Sequence, residues 1–484
     1  MESKVETGPA ATRNEDAYSV WWEEPADRDP ENPMSWSNGR KWGMIATISF
    51  LSFLTPLASS MMAPGVPQIM EELGCSNDTE ATFIVSIFIL GFAFGPLFIA
   101  PLSELYGRIP IYHVCNSLFV VFSACCALSN GVPMLMAFRF LSGVSGVAVI
   151  TCGSGSIADM MPPEQRGRAI SLWSLGPLTG PVVGPVCAGF LVEAKGWRWV
   201  FWIITIVSGV AVPASYFILR ESYAPVLLER KAKRLRKGTG NELYQPRTKK
   251  KGTARELFLA AIIRPTRMFC LSFIVMAMCV YLAVVYGIFY ILLTTFTFVY
   301  KDAYGFNSIG AGLSYIPGGI GNILGLAYVG VLSDNLIKKR KAQGLEHQPE
   351  QRLHPIISVP TGLAMALGLI CYGWTADKSV HWIAPMIGTG IVGFGMLGIF
   401  MSVQTYLVDM YTNYAASVTA ANTVLRSVLG ALLPLCGLQL YDSMGLGWGN
   451  TLLGLIVLFL APFPWLFYQY GGRIRQSPKF RTDF

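Results

Sequence analysis

The chain has 484 residues, of which 52% are hydrophobic and only 14% charged, with a formal net charge of +8. An average soluble domain carries roughly 25% charged residues, so this composition excludes an ordinary water-exposed surface of comparable area. Of the ten cysteines, all but Cys75 fall in apolar stretches, where they read as small hydrophobes rather than as a secreted disulfide framework.

In chain order, residues 1–31 hold nine acids and no aliphatic periodicity, which predicts a largely disordered tail. No apolar run begins before Trp42, so nothing resembles a cleaved signal peptide. From there the charges gather in clumps between long apolar runs. None of Asp, Glu, Lys or Arg occurs from Met268 to Tyr300, or from Ala303 to Ser333. A helix of about 20 apolar residues crosses roughly 30 Å of hydrocarbon. The runs 42–63, 81–102, 111–129, 132–155, 168–191, 199–219, 268–298, 307–333, 355–375, 381–408, 414–440 and 449–470 are therefore predicted spans. Backbone groups at membrane depth must be paired within their own segment, so these are helices. The alternating segments of a membrane barrel are absent from the pattern.

The expected class is an all-α integral membrane protein. Its expected segments are a cytoplasmic tail (1–41), a six-helix half (42–219), a basic cytoplasmic linker (220–267), a second six-helix half (268–470) and a cytoplasmic tail (471–484). With both ends inside, 31 Lys and Arg fall on the inner side and 4 on the outer, while Arg139 and Arg426 lie within spans; basic loops favour the cytoplasmic side. Asn77 of "NDT" then lies outside and is a candidate glycosylation site. The linker carries 14 basic and 4 acidic residues and is expected chiefly to hold its side of the membrane, with anionic lipid as a further partner. The clump "KKRK" (338–341) sits between two spans, which favours a topological anchor over a nucleic-acid patch.

"APLSELYGR" (100–108) follows the second span and "GVLSDN" (330–335) the eighth, each with Leu-Ser before an acid. Such an internal echo is expected of a two-state carrier built from repeats. The first stretch resembles a loop signature of the major facilitator superfamily, Gly-x-Leu-x-Asp-x-x-Gly-Arg, through Leu102, Glu104, Gly107 and Arg108, with Ala100 at the first glycine. The second copy keeps Gly330, Leu332 and Asp334 but no Gly-Arg follows. Arg139 and Gly143 match an Arg-x-x-x-Gly pattern, and "GPLTGPVVGP" (176–185) resembles an antiporter signature through Gly180, Pro181 and Gly184. "TYLVDMYTNYAAS" (405–417) and "RSVLGALLP" (426–434) are similar to the fungal twelve-span drug:proton antiporters, which include multidrug, polyamine and secondary-metabolite exporters.

The resemblance implies a major facilitator fold of twelve helices in two six-helix halves. It also implies that Glu104, Gly107, Arg108 and Asp334 belong to gates. Arg139 and Arg426, charges within spans, are costly unless they reach water or partners, and are expected to face a central cavity, the alternative being a folding network with an opposing helix's carbonyls or hydroxyls. Asp159 and Asp409 are the acids nearest membrane depth and the candidates for proton coupling. Tyr286, Phe289, Asn322, Gln404 and Asn422 are candidate cargo contacts. Gly143, Gly176, Gly180, Pro181 and Gly184 are expected to pack helices closely, since small residues let backbones approach.

The expected function is efflux of an amphipathic organic compound by alternating access, in exchange for protons. Open alternatives are a polyamine exporter, an importer or facilitator, and a non-transporting sensor. No nucleophile, base or metal cluster converges and no P-loop is present, so neither an enzyme nor a cofactor is expected. A monomer in the plasma membrane is favoured, a vacuolar or other internal membrane being the alternative.

Overall fold

The computed structural model describes residues 18–23, 25, 29–75, 77–247, 254–344, 348–411 and 415–476. Helices dominate because the runs are apolar on every side, so each can be covered by neighbours or by lipid. The first ten spans are Asn38–Glu72, Thr79–Tyr106, Arg108–Ala127, Val132–Met160, Gln165–Lys195, Arg198–Ile218, Phe273–Tyr304, Ser308–Arg340, Pro349–Asp377 and Ile383–Met410. A last apolar stretch, Ser417–Ile474, is 58 residues long, far beyond one crossing at about 1.5 Å per residue. It turns at Gly445, whose φ of 77° and ψ of 163° break the helix. The stretch therefore supplies the eleventh and twelfth spans.

Within each half corresponding partners pack extensively: first with fifth, second with fourth, third with sixth and third with fourth, matched by seventh with eleventh, eighth with tenth, ninth with twelfth and ninth with tenth, the last being the most extensive. The halves meet through second with eleventh and fifth with eighth, a pair that the same correspondence exchanges. Two large apolar cores result. One belongs to the second half apart from Ala63, and the other to the first half apart from Tyr290. Each half thus carries its own core and can move as a body. The six-plus-six repeat read from the Leu-Ser-acid echo is present as packing.

Glycines set the helix separations. A side chain at Gly176 would meet the Ser49 carbonyl oxygen at 2.6 Å, at Gly180 the Leu57 nitrogen at 2.8 Å, and at Gly184 the Leu57 oxygen at 2.8 Å. These residues stack one helical turn apart against the first span. The fifth-span helix runs from Pro163 to Lys195 without interruption through Pro177, Pro181 and Pro185. Gly143 meets the second span at Phe88 and Gly91, and the eighth and tenth spans repeat this contact at Gly321 and Gly393.

The expectation of a disordered tail does not hold for residues 18–23 and 29–41. Ser19–Val20 pairs in parallel with Gln245–Pro246 of the linker, and Pro33–Ser35 forms a short helical turn capped by Asn32. The linker itself contains the helices Ala224–Thr239 and Ala254–Leu271. Its Lys231 lies 3.1 Å from Asp29 and 3.4 Å from Glu23, and Arg234 lies 2.7 Å from Glu31. Part of the basic surface expected to meet lipid is therefore neutralised by the acidic tail.

Asp29 is the buried centre of that contact, 4% exposed. Burial raises its pKa, but the amides of Glu23 and Glu31 and the Lys231 ammonium outweigh it and hold the carboxyl below its ordinary value. A depressed carboxyl contributes stability above its unfolded pKa and loses it as pH falls through the folded one. Asp29→Asn should mimic the acid state at neutral pH, removing charge-assisted bonds of about 1.5–3 kcal/mol. Faster hydrogen exchange at the Glu23 and Glu31 amides is the expected reading, and unchanged exchange would contradict it.

Candidate functional site

Two charge clusters stand at the end of the bundle that carries the linker. In the first half, the helix break at Gly107 requires a φ of 104°, a conformation that favours glycine. A side chain there would also overlap the Glu221 carboxylate. Glu221 accepts the amides of Arg108 at 3.1 Å and Ile109 at 3.2 Å, which open the third span, and those of Ser222 and Tyr223 at 3.1 and 3.0 Å. A carboxylate at a helix N-terminus satisfies orphan amides and favours the dipole. The Arg108 guanidinium donates to Ser103 Oγ at 2.7 Å, lies 3.7 Å from Asp159 at the end of the fourth span, and rests on the Tyr223 ring at 4.7 Å. The ion-pair partner of Arg108 is thus Asp159, and Glu104 lies exposed on the last turns of the second span.

The second half repeats the cluster with an arginine from elsewhere. Arg352, at the start of the ninth span, donates to Ser333 Oγ at 2.9 Å and to Asp409 at 2.8 Å, and lies 3.8 Å from Asp334. Ser333 and Asp409 occupy the positions of Ser103 and Asp159. The weak second copy of the loop signature, which lacks Gly-Arg after Asp334, is completed by Arg352. Sequence reasoning missed both Arg352 and Glu221, because neither lies in the motif it serves. These side chains are about four-fifths buried, 20% and 22% exposed for Arg352 and Asp409, so the pair outweighs a solvated surface bridge. Arg352→Gln should weaken the activity that depends on this cluster by about tenfold, equivalent to ~1.4 kcal/mol in a conformational equilibrium, without loss of expression. Wild-type turnover in that variant would refute the assignment.

At the opposite end the halves touch directly. Ser86 donates to the Ala431 carbonyl at 2.8 Å, and Gln439 to Thr79 Oγ1 at 3.0 Å. Gly189 of the fifth span and Gly312 of the eighth bring backbones together: a side chain at Gly189 would meet the Ser308 oxygen at 2.6 Å. Asn77 is exposed there and caps the second span by accepting the Thr79 amide at 3.0 Å.

Between the two ends lies a narrow cavity walled by Pro181, Val182, Phe289, Leu292, Leu293, Phe296, Tyr315, Asn322, Thr389 and Val392. Of the expected cargo contacts, Phe289 and Asn322 line it. Tyr286 stands one turn before Phe289, with its ring 4.5 Å from the Arg426 guanidinium, which Phe400 covers from 4.9 Å. Gln404 and Asn422 are bonded to each other at 2.7 Å, and Gln404 to Thr419 at 3.0 Å, which ties the tenth span to the eleventh. Arg426 Nε, Asn322 Oδ1, Asn422 Oδ1 and Ser427 Oγ are buried without a hydrogen-bond partner among the described residues.

Arg139 does not face this cavity, contrary to expectation. It is 1% exposed and donates to the carbonyls of Ile84 at 2.8 Å, Ala58 at 3.3 Å, Ser59 at 3.1 Å and Val85 at 3.2 Å. Phe88 and Phe201 cover it at 5.1 and 5.8 Å. The carbonyls of two neighbouring helices supply what water would otherwise have to. Among the described residues no group of His, Cys, Asp and Glu is arranged to hold a metal ion.

The model of the family described as Major Facilitator Superfamily matches residues 48–434. The chain is 47% identical to a protein of Aspergillus flavipes named MFS-type transporter tndD, across 98% of this chain and 88% of that protein. It is 46% identical to one of Floropilus chiversii named efflux pump radE, across 96% and 86%. In fold it is similar to a bacterial homologue of the human lysosomal transporter Spinster, solved inward-facing and unoccupied, with a TM-score of 0.64 at 14% identity over 92% of this chain and 100% of that one.

Proposed function

Since this chain belongs to the Major Facilitator Superfamily, we propose that it exports a small amphipathic organic compound in exchange for protons, by rocking its two halves around the central cavity. The observation that carries this reading is the matched pair of clusters, Arg108 with Asp159 and Arg352 with Asp409, at one end of two separately packed halves whose other end is closed. A carrier needs two states of similar energy, and such clusters can stabilise one state and release the other. Protonating Asp159 or Asp409 would remove the attraction that holds its arginine, which supplies a route from a proton gradient to the equilibrium.

Export is supported by the name of the radE relative, and the drug:proton antiporter group by the motifs quoted above. In this reading the basic linker and both tails are cytoplasmic and the plasma membrane is the site of action. The closed end then faces outward. Asn77 would lie outside, open to glycosylation, and a single chain suffices because each half has its own core. The test is cargo release by cells with and without the gene, repeated in vesicles under an imposed pH gradient. Release that ignores the gradient and uncouplers would remove proton exchange; no difference between the cells would remove export.

A further inference from the structure

We infer that the central cavity receives a cargo carrying an acidic group on an aromatic or apolar body, with the acid directed past the cavity wall to Arg426, which stacks on Tyr286 one turn from the lining residue Phe289. The inference rests on the transporter reading only in calling the ligand a cargo. Arg426 lies about 16 Å along the helix that opens at Ala415, near mid-depth of the bundle. Two rings, Tyr286 and Phe400, hold its guanidinium in place at 4.5 and 4.9 Å. No ion pair to it is formed among the described residues, and its Nε has no hydrogen-bond partner. This contrasts with Arg139, whose charge is met by four carbonyls. Arg108 and Arg352 likewise have carboxylates.

A partly buried guanidinium near mid-depth of a membrane bundle without a counter-charge is unfavourable, and its planar fork fits a carboxylate better than any neutral acceptor. The neighbouring groups refine the class. Asn422, one turn before Arg426 and 1% exposed, presents an unpartnered Oδ1, as does Asn322 in the cavity wall. Both are acceptors, so they suit a hydroxyl or N–H on the ligand. Phe289, one turn beyond Tyr286, passes into the wall of Phe296, Leu292, Val182 and Val392, an apolar bed for the rest of the molecule. A polycation would meet Arg426 as a like charge and find no carboxylate here, which separates this site from one for polyamines.

The experiment uses the full chain in lipid nanodiscs and three probes of one shape: 2-naphthoate, 2-naphthamide and 2-naphthylmethylammonium, measured by calorimetry at neutral pH. Wild-type protein should bind the naphthoate at least about tenfold more tightly than the amide, and the ammonium weakest. Arg426→Gln should abolish the preference, and Arg426→Lys, which keeps the charge without the fork, should retain part of it. The wild-type comparison stands even where a variant does not fold. Absence of naphthoate binding, equal affinity for acid and amide, or an acid preference that survives Arg426→Gln would each overturn the inference. Acid-selective binding without flux in vesicles would overturn the transporter reading and leave this one; flux without acid preference would do the reverse.

Discussion

Arg139→Ala should cost the protein several kcal/mol of stability and lower its unfolding midpoint in detergent well below that of the wild type. The guanidinium ties the first, second and fourth spans through four carbonyl oxygens, and it is 1% exposed. Helices in lipid gain little from hydrophobic association, so specific polar ties and close packing carry more of their assembly. Alanine removes the tie and leaves a void where the side chain lay, and losses on breaking buried ionic networks run to about 3–5 kcal/mol. Two opposing effects need weighing. Removing a buried charge also removes its desolvation cost, which favours the variant, but alanine cannot refill the space. Arg139→Lys keeps the charge with one ammonium, which cannot reach two helices in fork geometry, and should fall between. A wild-type midpoint combined with lost transport would instead assign Arg139 to cargo or protons.

Gly189→Leu should leave each half folded and still stop transport. A side chain there meets the Ser308 carbonyl oxygen at 2.6 Å and the Ile309 Cα at 3.1 Å. Both are backbone atoms, which cannot turn aside as a side-chain tip would. The clash is between halves, at the closed end, while the cores lie within halves. Overpacking by a large side chain costs about 1–3 kcal/mol or more, which shifts a two-state equilibrium about tenfold for each ~1.4 kcal/mol away from the closed arrangement. Distances between spin labels on the fifth and eighth spans should lengthen at that end, with turnover reduced in step. Normal turnover with unaltered distances would mean that this contact is not a gate.

The sequence was informative wherever the deciding interaction is local or compositional. Each run such as Met268–Tyr300 announces its own span, because crossing hydrocarbon demands a length of apolar helix and nothing else. The Gly176, Gly180 and Gly184 stripe was legible for the same reason: a four-residue period places small residues on one helix face. Which helix lies against that face was not legible, and the structure supplies the first span. Arg139 shows the limit in another form. Its depth demanded partners, but backbone carbonyls of other helices leave no mark on the sequence, so a cavity was expected where a clamp exists.

The length and number of the apolar runs, with the Leu-Ser-acid echo, thus determined a twelve-span membrane protein with two related halves. Tertiary structure decided that Arg352 completes the second charge cluster, that Glu221 closes the turn at Gly107, that the acidic tail neutralises part of the linker, and that Arg426 has rings but, among the described residues, no acid. The reason is geometric. A helix that is apolar all round carries no stripe to say which face looks inward, and each of these contacts joins residues distant in the chain, whose meeting only the packed bundle can settle.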